Sequence, residues 1–264
     1  MSAERLAELP EAAATGRVAE VYADIRAVLA LPMVNLVYRH LATKPGELVE
    51  CWAALRPNLA SRAAASAAEK LAALASPAGV AALPRASLAV AGLTGEQVPL
   101  ARATLAAYRR ANSLNVLGMF TLLYGCPGRG ASAEEAAAPP AKPILPMASL
   151  EHLTPAAAAL LDEMSLHALG GDEPRLVPSL LRHFAGNPCL LALVWAVLRL
   201  PTAEATHRAE RVARRARELA RALPYPVAAL DDAAERAVVV KFSDAMARML
   251  GLGEMLSAAL AEAV

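Results

Sequence analysis

Arg39–Arg56 reads RHLATKPGELVECWAALR, and Arg182–Arg199 reads RHFAGNPCLLALVWAVLR. The second stretch begins 143 positions after the first, and nine of the eighteen aligned positions are identical. Shared are the Arg-His pair, Pro45 and Pro188, Trp52 and Trp195, and the closing Leu-Arg. The chain holds two tryptophans, and they fall at the same place in the repeat. Such agreement exceeds what an Ala- and Leu-rich composition gives by chance. It marks a duplicated unit, and a duplication suggests a site at the seam where two copies meet.

Working outward, the flanking segments read as helices. Thr15 is placed to cap a helix whose apolar positions are Val18, Val21, Tyr22, Ile25, Val28 and Leu29, one stripe at helical spacing. Pro32 stops it. Further helices are expected over 33–42, from Pro45 to a break at Arg56-Pro57, over 58–75, and as short pieces near Val80 and Pro84. Thr94-Gly95-Glu96 opens the last helix of the half, which continues towards Leu123. The second half repeats this grammar. Thr154-Pro155 is a cap with proline at the first helical position. Leu160, Leu161, Met164 and Ala168 form a stripe, and Gly170–Pro174 reads as an inserted loop. The Trp195 helix follows, then helices over 203–223 and 231–261.

Between the halves the composition changes. Residues 125–146 contain Cys-Pro-Gly-Arg-Gly, an alanine run and Pro139, Pro140, Pro143 and Pro146, which exclude a single regular element. The expected organisation is a helical repeat over 1–124, a linker over 125–149 and a second repeat over 150–264. Each half alone would leave the apolar faces of several helices uncovered. The economical solution is an all-α fold of two tandem repeats packed as an intramolecular pseudo-dimer.

Composition narrows the function. With 26 basic and 25 acidic residues in 264, the net charge of +1 gives no nucleic-acid surface. The basic run from Arg208 to Arg221 is interleaved with Glu210 and Glu218 and reads as a solvated helix face. Glu4, Glu8 and Glu11 stand where a secretory signal would carry a basic end and an apolar run. The longest apolar run, Cys189 to Leu198, is about half a membrane span. Cys51, Cys126 and Cys189 lack CxxC spacing and read as reduced, buried or half-buried thiols. These features predict a cytoplasmic protein without nucleic-acid or membrane partners.

The sequence holds no HExxH, GxSxG or Gly-rich phosphate loop. His40 and His183 are repeat-equivalent but have no further ligands at metal spacing, so a structural role is expected. Asn112 and Asn115 lie at i and i+3 inside an apolar helix, where second-half counterparts are about Met246 and Met249. Two amides bound for a core need partners. They either satisfy the other half's backbone or orient a water or a carboxylate ligand.

Several of these segments resemble the DehI-type, or group I, 2-haloacid dehalogenases. They are Val21–Pro32 (VYADIRAVLALP), Arg39–Gly46 (RHLATKPG), the Asn112/Asn115 helix, the linker, Leu166-His167 and the Arg-Glu-Leu-Ala-Arg-Ala-Leu-Pro run ending at Pro224. The resemblance covers nearly the whole chain in the same order. It implies two helical repeats with the active site between them and a reaction without cofactor or metal. In that reaction an Asp-activated water attacks C2 of a 2-haloalkanoic acid and displaces halide with inversion. The family shares its core with the AhpD-like group, whose peroxidase members use a CxxC that this chain lacks.

Carried over by residue, Asn115 matches the family's pocket Asn and Ser179 matches the Ser preceding the catalytic Asp. The Asp position itself holds Leu180, and the family's aromatic pocket residues are replaced by Met33 and Leu36. Leucine has no proton acceptor, so it cannot be a general base. The Gly170–Pro174 insertion offers Asp172 or Glu173 as a relocated base, and outside it Arg175 or Arg182 could pair with a substrate carboxylate.

Three readings follow. The chain is a hydrolytic dehalogenase with a relocated base. Or it is a fold relative that lost this reaction and binds a small carboxylate or apolar molecule through Asn115, Ser179, Met33, Leu36, Asn112 and Leu180, or hydrolyses something else. Or it is a helical oligomerisation scaffold. The expected partner is a small molecule in the seam, with homodimer formation left open.

Overall fold

The computed structural model describes residues 6–128, 134–169, 176–199 and 202–261. They form eleven α-helices and no β-strand, apart from isolated bridges joining Ser61 to Glu135 and Cys126 to Val227. The first half comprises α1 (Gly16–Leu29), α2 (Leu36–Leu41), α3 (Pro45–Leu59), α4 (Arg62–Ala75), α5 (Arg85–Val90) and α6 (Gln97–Tyr124). The second comprises α7 (Pro155–Leu169), α8 (Ser179–Ala185), α9 (Pro188–Leu198), α10 (Thr202–Ala220) and α11 (Ala233–Ala259). Starts of α2 and α8, and of α3 and α9, are separated by the same 143 positions as the sequence repeat. α5 has no counterpart among the described residues. None of the described helices is long and apolar enough to cross a membrane.

α6 and α11 make the most extensive helix contact. From Ala111 to Leu123 every residue of α6 is buried, as a helix must be when it is apolar around its whole circumference. α3 packs on α6 at Gly118, where a methyl group would meet Leu55 Cδ1 at 3.4 Å and Leu59 Cδ1 at 3.5 Å, ordinary contact distances. α4 and α10 flank this pair. Arg109 of α6 bridges to Glu254 of α11 at 3.0 Å, and Ser76 donates to the same carboxylate at 2.6 Å.

The two halves use the repeated Arg-His pair in the same way. Leu9 N donates to Arg39 O at 2.8 Å and Ala148 N to Arg182 O at 3.1 Å. His40 Nδ1 meets Ala7 O at 2.7 Å, and His183 Nδ1 meets Leu145 O at 2.6 Å. Each histidine therefore fastens the extended segment that precedes its own half.

Several sequence expectations are corrected here. Pro57 does not break α3, which continues to Leu59. Proline forfeits one hydrogen bond in the last turn. Asn58 compensates, donating to Tyr225 O at 2.8 Å and accepting from Tyr225 N at 2.9 Å. No helix forms at Val80, because Pro77, Gly79 and Pro84 interrupt it, and Leu83 N instead bonds Ala259 O at 2.7 Å. Thr15 occupies the cap position of α1, but its side chain caps nothing. Asp232 does cap α11, accepting from Glu235 N at 2.8 Å. Cys126 is buried and Cys51 half-buried, with burial pushing the Cys51 thiol up to about 12, whereas Cys189 is exposed.

Residues 134–145 lie outside any helix and bond to the first half at several points. Arg62 N bonds Glu134 O at 2.9 Å, and Ala136 N bonds Ala60 O at 2.8 Å. Further on, Leu145 N donates to Thr104 Oγ1 at 3.0 Å. The stretch 137–144 is a strap fastened at both ends.

Candidate functional site

Four elements converge on a cavity of about 70 Å³ between the halves. Asn35, Leu36 and Val37 enter from the start of α2, Tyr108 and Asn112 from α6. Pro178, Ser179 and Leu180 come from the start of α8, and Phe242, Met246 and Met249 from α11. Asn112 therefore faces the cavity together with the two methionines that the sequence pairs with Asn112 and Asn115.

Leu36, Asn112, Ser179 and Leu180 lie on the cavity wall. Asn115 is fully buried but does not line it. Its Oδ1 accepts from Tyr38 Oη at 2.8 Å, and its Nδ2 has no partner. Met33 is buried behind the wall, its sulfur 3.2 Å from Tyr108 Oη. Asp172, Glu173 and Arg175 lie outside the described residues. Arg182 is occupied, its Nε and Nη2 donating to Ala148 O at 3.1 and 2.9 Å.

Two wall residues escape the sequence reading. Asn35 is 6% exposed and its Oδ1 has no hydrogen-bond partner among the described residues. In sequence it looks like a helix cap, yet its side chain caps nothing. Tyr108 sits one turn before Asn112, and that i, i+4 spacing was the available signal. Its hydroxyl lies 3.1 Å from His183 Nε2, the two rings edge-on.

The protonation states follow from burial. Desolvation raises the Tyr108 phenol well above its ordinary range, opposed by Arg39, Ser179 and Arg182. Desolvation also lowers the His183 pKa, with the Leu145 carbonyl acting against it and Arg182 adding to it. A carbonyl can only accept, so His183 carries its proton on Nδ1 and presents Nε2 as the acceptor for Tyr108. The pair is neutral near pH 7. No carboxylate or cation lies among the described residues lining the cavity. Nor does any described group of three or more His, Cys, Asp or Glu suit a metal ion.

This architecture has solved counterparts. A D-2-haloacid dehalogenase in complex with L-LA aligns over 100% of this chain and 97% of its own, at TM-score 0.79 and 17% identity. A mutant of a D-2-haloacid dehalogenase aligns over 100% and 97%, at TM-score 0.78 and 16% identity. A further mutant, in complex with D-2-CPA, aligns over 98% and 94%, at TM-score 0.78 and 17% identity. The fold is a dehalogenase fold. No protein-family model matches the chain, and none of the curated proteins does. Identities this low establish the architecture and leave the chemistry to the residues of the site.

Proposed function

We propose that this dehalogenase-fold protein binds a compact, uncharged molecule in the seam cavity. On this reading it does not hydrolyse 2-haloacids through a carboxylate-activated water. One observation carries the reading: Asn35 Oδ1 is buried at the wall of the cavity, and among the described residues it has no partner and the lining carries no charge. An orphaned buried acceptor costs about 1–3 kcal/mol. A ligand N–H or O–H would remove that cost. An anion would bring the opposite problem, because a buried carboxylate without a cation is strongly penalised.

That no carboxylate lies among the described wall residues bears on catalysis. Water attacking a saturated carbon must lose its proton as the C–O bond forms, and a positioned base supplies roughly 10²–10⁴-fold. Leu180 and the neutral amide of Asn112 supply none of it. Tyr108 donates a hydrogen bond to His183, and burial keeps its phenol protonated, so it supplies no phenolate base.

The test pairs binding with turnover. 2-Chloropropionamide should raise the melting temperature more than 2-chloropropionate does at equal concentration, and Asn35→Leu should abolish that difference. Halide release from racemic 2-chloropropionate should match the protein-free rate. Leu180→Asp, once circular dichroism shows it folded, should release halide measurably faster than the parent. Stronger stabilisation by the acid than by the amide would reject an uncharged ligand.

A second reading has its own support. Leu169 and Leu176, which flank the inserted loop, both line the cavity. Hydrolysis with Asp172 or Glu173 as base therefore competes with binding alone. Stereo-inverting halide release by the parent, lost in Asp172→Asn or Glu173→Gln, would establish it.

A further inference from the structure

A second and larger cavity, about 610 Å³, lies between α6 and the strap, away from the seam. We propose that this groove binds organic acids with an apolar body, their carboxylate held by Arg110. The inference does not depend on the seam reading.

Charge is the first argument. Arg102, Arg110 and Lys142 line the groove, and no acidic side chain does among the described residues. The whole chain carries +1, so this concentration is local. The groove around Cys51 shows the contrast, since it is lined by Glu47, Glu50, Asp231 and Glu235 against one lysine, Lys44.

Arg110 is the second argument. Its neighbour Arg109 pairs with Glu69 at 2.7 Å and with Glu254 at 3.0 Å. Arg110 has no carboxylate partner among the described residues. Its Nη2 makes a 3.4 Å contact with Val28 O, and its Nε is buried with no partner among the described residues. Desolvation lowers its pKa, with Glu69 acting against it from beyond ion-pair distance, so the loss of water outweighs the counter-charge that reaches it. A guanidinium is a planar fork suited to two parallel bonds from a carboxylate. Arg102 cannot take that role, because its Nε and Nη2 already bond Leu260 O at 3.2 and 2.7 Å. It contributes field, and exposed Lys142 contributes a mobile point charge.

The walls are the third argument. Pro139, Pro140 and Pro143 face small apolar side chains of α6 across the groove. Proline has no N–H to donate and a fixed φ, so this wall is rigid and suits hydrocarbon. The volume falls in the range of small-molecule sites. An inorganic anion would satisfy the charge and leave the apolar walls wet.

Octanoate is the probe, titrated calorimetrically into the full chain at low salt, with 1-octanol and inorganic phosphate as the uncharged and bodiless comparisons. Saturable octanoate binding is expected, with both comparisons roughly tenfold weaker or worse. Arg110→Gln should weaken octanoate by roughly tenfold, and Lys142→Gln by about threefold. Lys142 lies exposed on the strap, so its variant tests the site even if Arg110→Gln fails to fold. No saturation at millimolar octanoate, phosphate binding as tightly as octanoate, or unchanged affinity in the folded variants would overturn the proposal.

Discussion

Trp52 and Trp195 occupy the same register of the repeat in different surroundings. Trp52 is 3% exposed, donates its indole N–H to Asp24 at 2.6 Å and meets Tyr38 edge-on at 5.5 Å. Trp195 is half-buried and meets His167 edge-on at 5.0 Å. Asp24 and His167 are themselves 143 positions apart. The repeat has kept the tryptophan and the neighbouring position while the chemistry of the neighbour diverged. In the first half that neighbour also accepts from Arg56 at 2.8 Å, tying α1 to α3. The lesson is that register outlasts interaction. A repeat fixes where side chains meet and leaves open what they do there.

The largest expected effect is at these two positions. Trp52→Ala should cost about 3–5 kcal/mol, the range for deleting a buried aromatic. Trp195→Ala should cost about half as much, because less of its surface leaves water. Denaturant unfolding of both variants checks this, and equal losses would erase the contrast.

A smaller effect probes a buried polar contact that the first half makes at a position where the second half has leucine. Tyr38 corresponds to Leu181 in the repeat, and both are fully buried. Tyr38→Phe would strand Asn115 Oδ1 beside an Nδ2 already without a partner. The expected loss is about 1–3 kcal/mol, read by the same unfolding experiment. A change below a few tenths would mean that the amide finds another donor.

The smallest effect is a pH dependence in the second half. Burial lowers the His183 pKa in the folded state, so the unfolded chain binds its proton first as pH falls. Its contribution is complete above the ordinary value of about 6.5 and declines as pH drops towards the lower folded value. The slope from this group cannot exceed about 1.4 kcal/mol per pH unit. His183→Gln should flatten stability across pH 5–7, and an unchanged slope would remove His183 as its source.

What the sequence disclosed, and what it withheld, follows from the range of each interaction. The α1 stripe, from Val18 to Leu29, is buried as its spacing predicts, because helical periodicity is a local property. The apolar surroundings of Asn112 marked it as unusual before its cavity was known. The persistence of α3 past Pro57 rests on Asn58 gripping Tyr225, 167 residues away, and no local pattern encodes that. Asn35 reads as a cap for the same reason. Its place on a cavity wall depends on α6, α8 and α11 arriving together. Asn115 was legible as a buried amide, but its partner Tyr38 was not, and so neither was its position behind the wall.

The strap has one further consequence. It is fastened at Ala136 and at Leu145, and Arg110 lies under the span between them. Its wall is stiffened by three prolines, so the clearance beneath it depends on how many residues bridge the two fixed points. Adding or removing one residue between 137 and 144 would widen or narrow the opening while leaving every core side chain in place. In this part of the molecule, selectivity can evolve by counting residues rather than by changing them.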